Sequence, residues 1–170
     1  MFHTRSFALA MGALLCLAAA ARAQNIDLTT VPGREEVQMT IYNSEDLTLV
    51  KERRALTFKK GANRIQFSWA NTLIAPTSLE IRILTNSDKI DVLDTSYPPN
   101  RPTTLVWNID SQVDGQQEVE IRYFISGLTW TADYNAISDA AEKRLSLEGF
   151  IRVHNQSGEA FENARIRLVV

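Results

Sequence analysis

The sequence predicts an all-β fold, an antiparallel β-sandwich. Three observations point there. Apolar and polar residues alternate with period two in run after run, the runs are short and separated by turn-forming residues, and only residues 138–144 have helical composition. Such alternation is expected of strands with one buried and one wet face, which favours antiparallel sheets.

In chain order, residues 24–36 are polar, carry Pro32-Gly33 and read as a flexible lead-in to a β-sandwich region spanning residues 37–170. Val37, Met39 and Ile41 alternate with Gln38 and Thr40, and Asn43-Ser44-Glu45-Asp46 ends that run in a turn. Residues 47–58 are long for one strand and hold Lys51-Glu52-Arg53-Arg54 in their middle, so a bulge or a long edge hairpin is expected. Lys59-Lys60-Gly61-Ala62-Asn63 suits a hairpin loop in which glycine supplies a positive φ. Ile65, Phe67 and Trp69 form the next stripe, followed by Leu79, Ile81 and Ile83. Asn86-Ser87-Asp88 marks a turn, and Pro98-Pro99-Asn100-Arg101-Pro102 a stiff connector expected to bridge two sheets. Beyond the turn at Asp114-Gly115 come Val119, Ile121, Tyr123 and Ile125. Then Leu145, Leu147, Ile151 and Val153 share one face with Gly149 between them. The last stripe, Ala164, Ile166, Leu168 and Val170, stops on Val169-Val170. An apolar strand ending this way predicts an incomplete C-terminal edge, with the chain the N-terminal part of a longer protein.

Residues 1–23 read as a secretory signal peptide. His3 and Arg5 give a short basic start, residues 6–21 are uncharged and mostly apolar, and Ala21-Arg22-Ala23 supplies a small-x-small pattern for cleavage after Ala23. The apolar stretch is short for a membrane anchor. Leu15 before Cys16 argues against a lipobox. The expected location is therefore periplasmic or secreted, with no transmembrane helix after cleavage. The remaining 147 residues have no cysteine, hence no disulfide, thiol nucleophile or thiolate metal site. They hold 16 basic against 20 acidic residues, a net charge of −4 that argues against nucleic-acid binding.

Little in the sequence points to chemistry. The one mature histidine, His154, lies on the polar side of its strand. Its possible serine partners, Ser126, Ser146 and Ser157, sit in no Gly-x-Ser-x-Gly turn. Asp110-Ser111-Gln112-Val113-Asp114-Gly115 hints at a calcium loop, but Gln112 and Ile121 stand where ligands are needed, so a hairpin turn between strands is expected. The basic residues Lys51, Arg53, Arg54, Lys59 and Lys60 suggest contact with an anionic surface or, more simply, the blunting of an edge strand. Trp130, Ala132 and Tyr134 share a face. Trp130, Tyr134 and Trp107 are candidate platforms for stacking on sugar rings, against the plainer expectation that they fill the core. No catalytic, cofactor-binding or metal-binding residue is assigned.

Two stretches carry a family resemblance. Gly127-Leu128-Thr129-Trp130-Thr131-Ala132-Asp133-Tyr134 matches a G-L-x-W-x-x-x-Y pattern. Residues 153–168, Val153-His154-Asn155-Gln156-Ser157-Gly158-Glu159-Ala160-Phe161 and onward to Leu168, match V-x-N-x-[ST]-G-E-x-[WF]-x-x-A-x-[IL]-x-L. Residues 37–54 are similar to an opening V-x-x-T-I-Y-N followed by L-x-L-V-K-E-x-R. In these features the chain resembles the bacterial domain-of-unknown-function 4139 family, related to mucoidy-inhibitor-type proteins. The resemblance implies a longer, β-rich, exported or envelope-associated protein and brings no catalytic residues. The expected function is a non-catalytic structural or interaction module of the envelope, its partner an envelope protein or a glycan. The alternatives are a carbohydrate-binding module and a carboxylate-dependent glycan-active enzyme.

Overall fold

The structure is a computed structural model that describes residues 28–170; the expected signal peptide and its cleavage site lie outside the described residues. Eleven strands follow one another: β1 (Leu28–Thr30), β2 (Glu36–Tyr42), β3 (Leu47–Phe58), β4 (Gly61–Ser68), β5 (Glu80–Ile83), β6 (Ile90–Ser96), β7 (Thr104–Ser111), β8 (Gly115–Ile125), β9 (Leu128–Ser138), β10 (Leu145–Asn155) and β11 (Arg165–Val169). They form a five-stranded sheet ordered β11-β2-β3-β8-β5, a four-stranded sheet ordered β1-β4-β7-β6, and a separate hairpin, β9-β10. Pairing is antiparallel except at β1–β4 and β11–β2. The fold is all-β and sandwich-like, as the alternation predicts.

The two larger sheets share one core. Met39, Ile41, Val50, Leu56, Val119, Ile121 and Ile125 come from the first, and Ile65, Phe67, Leu105, Trp107 and Ile109 from the second. The sheets meet around Phe67, whose ring centroid lies 5.8 Å from Trp107 on its own sheet and 6.2 Å from Tyr123 on the facing one. Tilted aromatic contacts at these separations are favourable beyond the area they bury.

Four local expectations are corrected. The lead-in is built into the fold from residue 28: β1 pairs in parallel with β4, and Val31 N donates to Gln66 O at 3.1 Å. Residues 47–58 form one regular strand with no bulge and no edge hairpin, because β8 pairs with residues 48–58 and β2 covers residues 47–53 on the other side. The loop at Gly61 is a corner rather than a hairpin turn, since β3 and β4 belong to different sheets; its φ of 92° still requires the left-handed region open to glycine. The proline-rich connector joins β6 to β7, neighbours in one sheet.

Candidate functional site

Two places depart from the rule of apolar inside and polar outside. The first is a charge cluster inside the sandwich. Glu52 falls in phase with Val50 and Leu56, so strand alternation turns its carboxylate inward, and its exposure is 0%. Its Oε1 accepts from Arg34 Nε at 2.5 Å and from the Tyr123 hydroxyl at 2.5 Å. Its Oε2 accepts from Arg54 Nε at 3.0 Å and Nη2 at 2.5 Å. The remaining arginine nitrogens are also used: Arg54 Nη1 donates to Pro32 O, Arg34 Nη1 to Ala160 O at 3.1 Å, and Arg34 Nη2 to Glu159. The Arg34 guanidinium lies 5.1 Å from the Phe161 ring centroid and that of Arg54 5.8 Å from Phe67, within reach of cation–π attraction.

Electrostatics follows from this packing. Burial works to lower the Arg34 pKa, but Glu52 and then Tyr123 and Glu159 outweigh it and hold the pKa above its usual value. Burial first, then the Glu52 charge and the hydrogen bond to it, push the Tyr123 phenol far above the usual range for tyrosine. Two arginines and two glutamates balance, and each nitrogen of both guanidinium groups already donates one hydrogen bond within the protein. A recess of about 110 Å³ lies beside the cluster, lined by Arg34, Arg54, Phe67, Trp69 and Glu159 among others. The arrangement is a brace: it ties the segment before β2 and the loop after β10 to the centre of β3. That loop is itself closed locally. Asn155 Oδ1 accepts from Ser157 N at 3.0 Å and from Ser157 Oγ at 2.7 Å, while Asn155 Nδ2 donates to Glu159 O at 2.8 Å.

The second departure is the β9–β10 hairpin. Eleven residues of each strand pair from Leu128↔Asn155 to Ser138↔Leu145. One face carries Leu128, Trp130, Ala132, Tyr134 and Ala136 opposite Asn155, Val153, Ile151, Gly149 and Leu147, with no charged side chain among them. At its base this face belongs to the core: Leu128 is buried and Trp130 packs against the core cluster. Further out, Tyr134, Leu145, Leu147 and Ile151 are each more than 60% exposed. The Tyr134 ring lies over Gly149, where an added Cβ would meet its edge at 3.1 Å. The other face is mainly polar, with Arg152 pairing to Asp133 at 3.1 Å, but also carries Ile137 and Phe150. A hairpin of two strands is marginal in water unless something covers its apolar face.

The candidates from the sequence fall in different places. Trp107 is 1% exposed in the core, which corrects its candidacy as a stacking platform: it has no open ring face. Trp130 is half-buried, with its indole Nε1 donating to Val169 O at 3.4 Å. Tyr134 is 68% exposed and is not a core filler. His154 is exposed on the polar side of β10, paired with Thr129. Ser157 is buried within the turn just described. Asp114 Oδ1 accepts from Lys60 N at 2.7 Å, joining the β7–β8 and β3–β4 connections, and the hairpin expected at Asp114-Gly115 is corrected to a corner, because β7 and β8 lie in different sheets. Among the described residues no three histidine, cysteine or carboxylate groups converge to hold a metal. No helix among them is long and apolar enough to cross a membrane.

The basic run does not act as one cluster. Arg54 points into the core, Lys51 and Arg53 point to the outer face of the five-stranded sheet, and Lys59 and Lys60 sit at the corner after β3. On that outer face Lys51 is joined by residues the sequence reading did not connect with it. Arg165 and Arg167 on β11 lie in register with Gln38 and Thr40, around a hollow of about 210 Å³ that Lys51 also lines. Arg34 and Glu159 were likewise missed. The one sequence signal available was that Glu52 and Arg54 keep the inward phase of Val50 and Leu56. Compared with known proteins, the chain matches no family model, no curated protein and no solved structure.

Proposed function

We propose that the chain is an exported bacterial envelope protein of the domain-of-unknown-function 4139 type, acting as a non-catalytic interaction module whose contact surface is the β9–β10 hairpin. The observation that carries this reading is the uncharged apolar face that leaves the core at Trp130 and runs outward uncovered through Tyr134, Leu147 and Ile151. Exposed apolar patches rimmed by polar residues mark interaction sites in folded proteins. Export rests on the character of residues 1–23, and the family on the motifs around Trp130 and Asn155.

The test is a photo-crosslinking amino acid at position 147 in living bacteria. A discrete protein adduct is expected, lost when Ile151→Asp is added on the same face. Absence of any adduct, or adducts to glycan alone, sinks the reading. Carbohydrate binding is a second reading, favoured by the open ring face of Tyr134. Its weakness is that the neighbouring side chains on that face offer few hydrogen-bonding groups, which sugar recognition needs. Protection of tyrosine and tryptophan fluorescence by cell-wall glycans, abolished by Tyr134→Ala, would bring it forward.

A further inference from the structure

On the outer face of the five-stranded sheet, apart from the hairpin, the geometry points to a binding site for a phosphate-headed amphiphile, centred on Lys51. The sheet register sorts the outward side chains into rows. One row runs Glu36 on β2, Arg53 on β3, Glu120 on β8 and Arg82 on β5. Its charges alternate in sign, so each cation faces an anion, the arrangement facing strands favour. The next row runs Arg165 on β11, Gln38 on β2, Lys51 on β3 and Arg122 on β8, and ends at Glu80 on β5. Here Lys51 and Arg122 stand directly opposite each other, a like-charged pair that works against the sheet. Glu80 lies beyond Arg122 and is held by it at 2.7 Å, while the Gln38 side-chain amide donates to Glu36 at 2.9 Å. Lys51 has no ion pair among the described residues, and the buried Nε of Arg122 donates no hydrogen bond. β3 and β8 are both interior strands, so this like-charged pair owes nothing to a sheet edge.

An uncompensated row of cations calls for an anion, and the surroundings of the row define what carries it. A hollow of about 210 Å³ opens beside Lys51, lined also by Gln38, Thr40, Arg165 and Arg167, with Leu49 on its apolar side. Three cations reach it, and the nearest anion, Glu36, is divided between Arg165 and Arg53 at 3.5 Å each. A single carboxylate leaves such a site positive. A phosphate monoester brings about 1.5–2 negative charges and three strong acceptor oxygens. Arginine meets phosphate through two parallel N–H bonds and lysine meets it as a point charge. The row on the far side of Lys51 is apolar: Leu49 and Phe124 stand in register on the same outward face, both half-buried. A ligand with its phosphate at Lys51 thus lays its adjoining part over Leu49 and Phe124, where a hydrocarbon chain loses contact with water. A free phosphate ion would use only the charged half of the surface.

The experiment titrates the protein with dihexanoyl phosphatidic acid, dihexanoyl phosphatidylcholine and inorganic phosphate, the lipids kept below micelle-forming concentrations. Binding is followed by the backbone amide signals of Lys51 and Leu49. The phosphatidic acid is expected to bind at least about tenfold more tightly than either other probe. Lys51→Glu is expected to weaken it by at least about tenfold. Lys60→Glu makes the same charge change at the corner after β3, beyond a screening length from Lys51, and is expected to leave the affinity within about twofold. Lys51→Glu is also expected to raise the urea midpoint, because a carboxylate at that position faces Arg122, so its loss of binding is separable from a loss of fold. Leu49→Ser is expected to weaken the phosphatidic acid and to leave inorganic phosphate unchanged. Equal binding of the two lipids, or equal weakening by the two lysine variants, would overturn the inference. Inorganic phosphate binding as tightly as the phosphatidic acid overturns it as well, by showing an anion site with no place for the chain. If no probe binds, the site falls, while the crosslink at position 147 still decides the hairpin reading.

Discussion

The sandwich centre and the β9–β10 hairpin invert each other. At the centre, charged residues are turned inward: Glu52 and Arg54 are buried, Arg34 is half-buried beside them, and each guanidinium nitrogen donates within the protein. On the hairpin, a stripe as apolar as any in the core is left in water. The sequence patterns of the two are alike, since both alternate with period two. What separates them is whether an opposite layer exists. Between the sheets, even a carboxylate is held, because two arginines and a phenol surround it. On the hairpin, nothing among the described residues covers Leu147 or Ile151. Residue type therefore proposes burial, and topology decides it.

Glu52→Ala tests that contrast hardest. Removing the carboxylate leaves Arg54 buried without its counter-charge and the half-buried Arg34 with Glu159 alone, so a loss of about 3–5 kcal/mol is expected in urea denaturation. A loss under about 1 kcal/mol would show that the cluster is hydrated and not a brace. Gly158→Ala comes next. Its φ is +85°, and a Cβ there would lie 2.0 Å from the Asn71 carbonyl oxygen, so roughly 2–3 kcal/mol is expected from strain and displaced backbone. Gly149→Ala on the hairpin, which meets only a movable Tyr134 ring, should cost much less.

Tyr123→Phe removes one hydrogen bond to a buried carboxylate, worth about 1.5–3 kcal/mol near neutral pH. It also carries a signature in alkali. The native phenol is held above the unfolded value of about 10, so its contribution is complete below that pH and is lost as pH rises beyond it. Urea midpoints measured between about pH 8 and 11 should fall more steeply for the wild type than for the variant. Parallel curves would mean that the phenol reaches solvent. The smallest effect belongs to Leu147→Ser: stability should change by no more than about 0.5 kcal/mol. A large loss would mean that the hairpin packs against something in the free protein and is not an open surface.

Much of the fold was legible because a strand with one wet face writes its period into the sequence. Val37 to Ile41, Ile65 to Trp69 and Val119 to Ile125 all take their expected faces. Sheet membership was not legible. Gly61 and Gly115 each mark a turn, but nothing local says that the chain there changes sheets rather than doubling back. The charge cluster was half legible: Glu52 and Arg54 keep the inward phase, whereas their partners Arg34 and Glu159 come from distant segments. Exposure of the hairpin was illegible for the opposite reason. Leu145, Leu147, Ile151 and Val153 have the pattern of a covered face, and the missing cover leaves no mark on the strand itself.

Arg34 reaches Glu159 across 125 positions, and β11 lies beside β2, joining residues 165–169 to residues 38–42. Closure of so long a loop must precede the contacts that reward it, and topologies dominated by such pairings fold in milliseconds to seconds rather than microseconds. Until residues 165–169 are available, the free edge of β2 has no neighbour and the brace over Glu52 lacks its last member. The nascent chain therefore passes through an interval in which its opening strands are made but cannot be finished, and contact order rather than core strength sets how long that interval lasts.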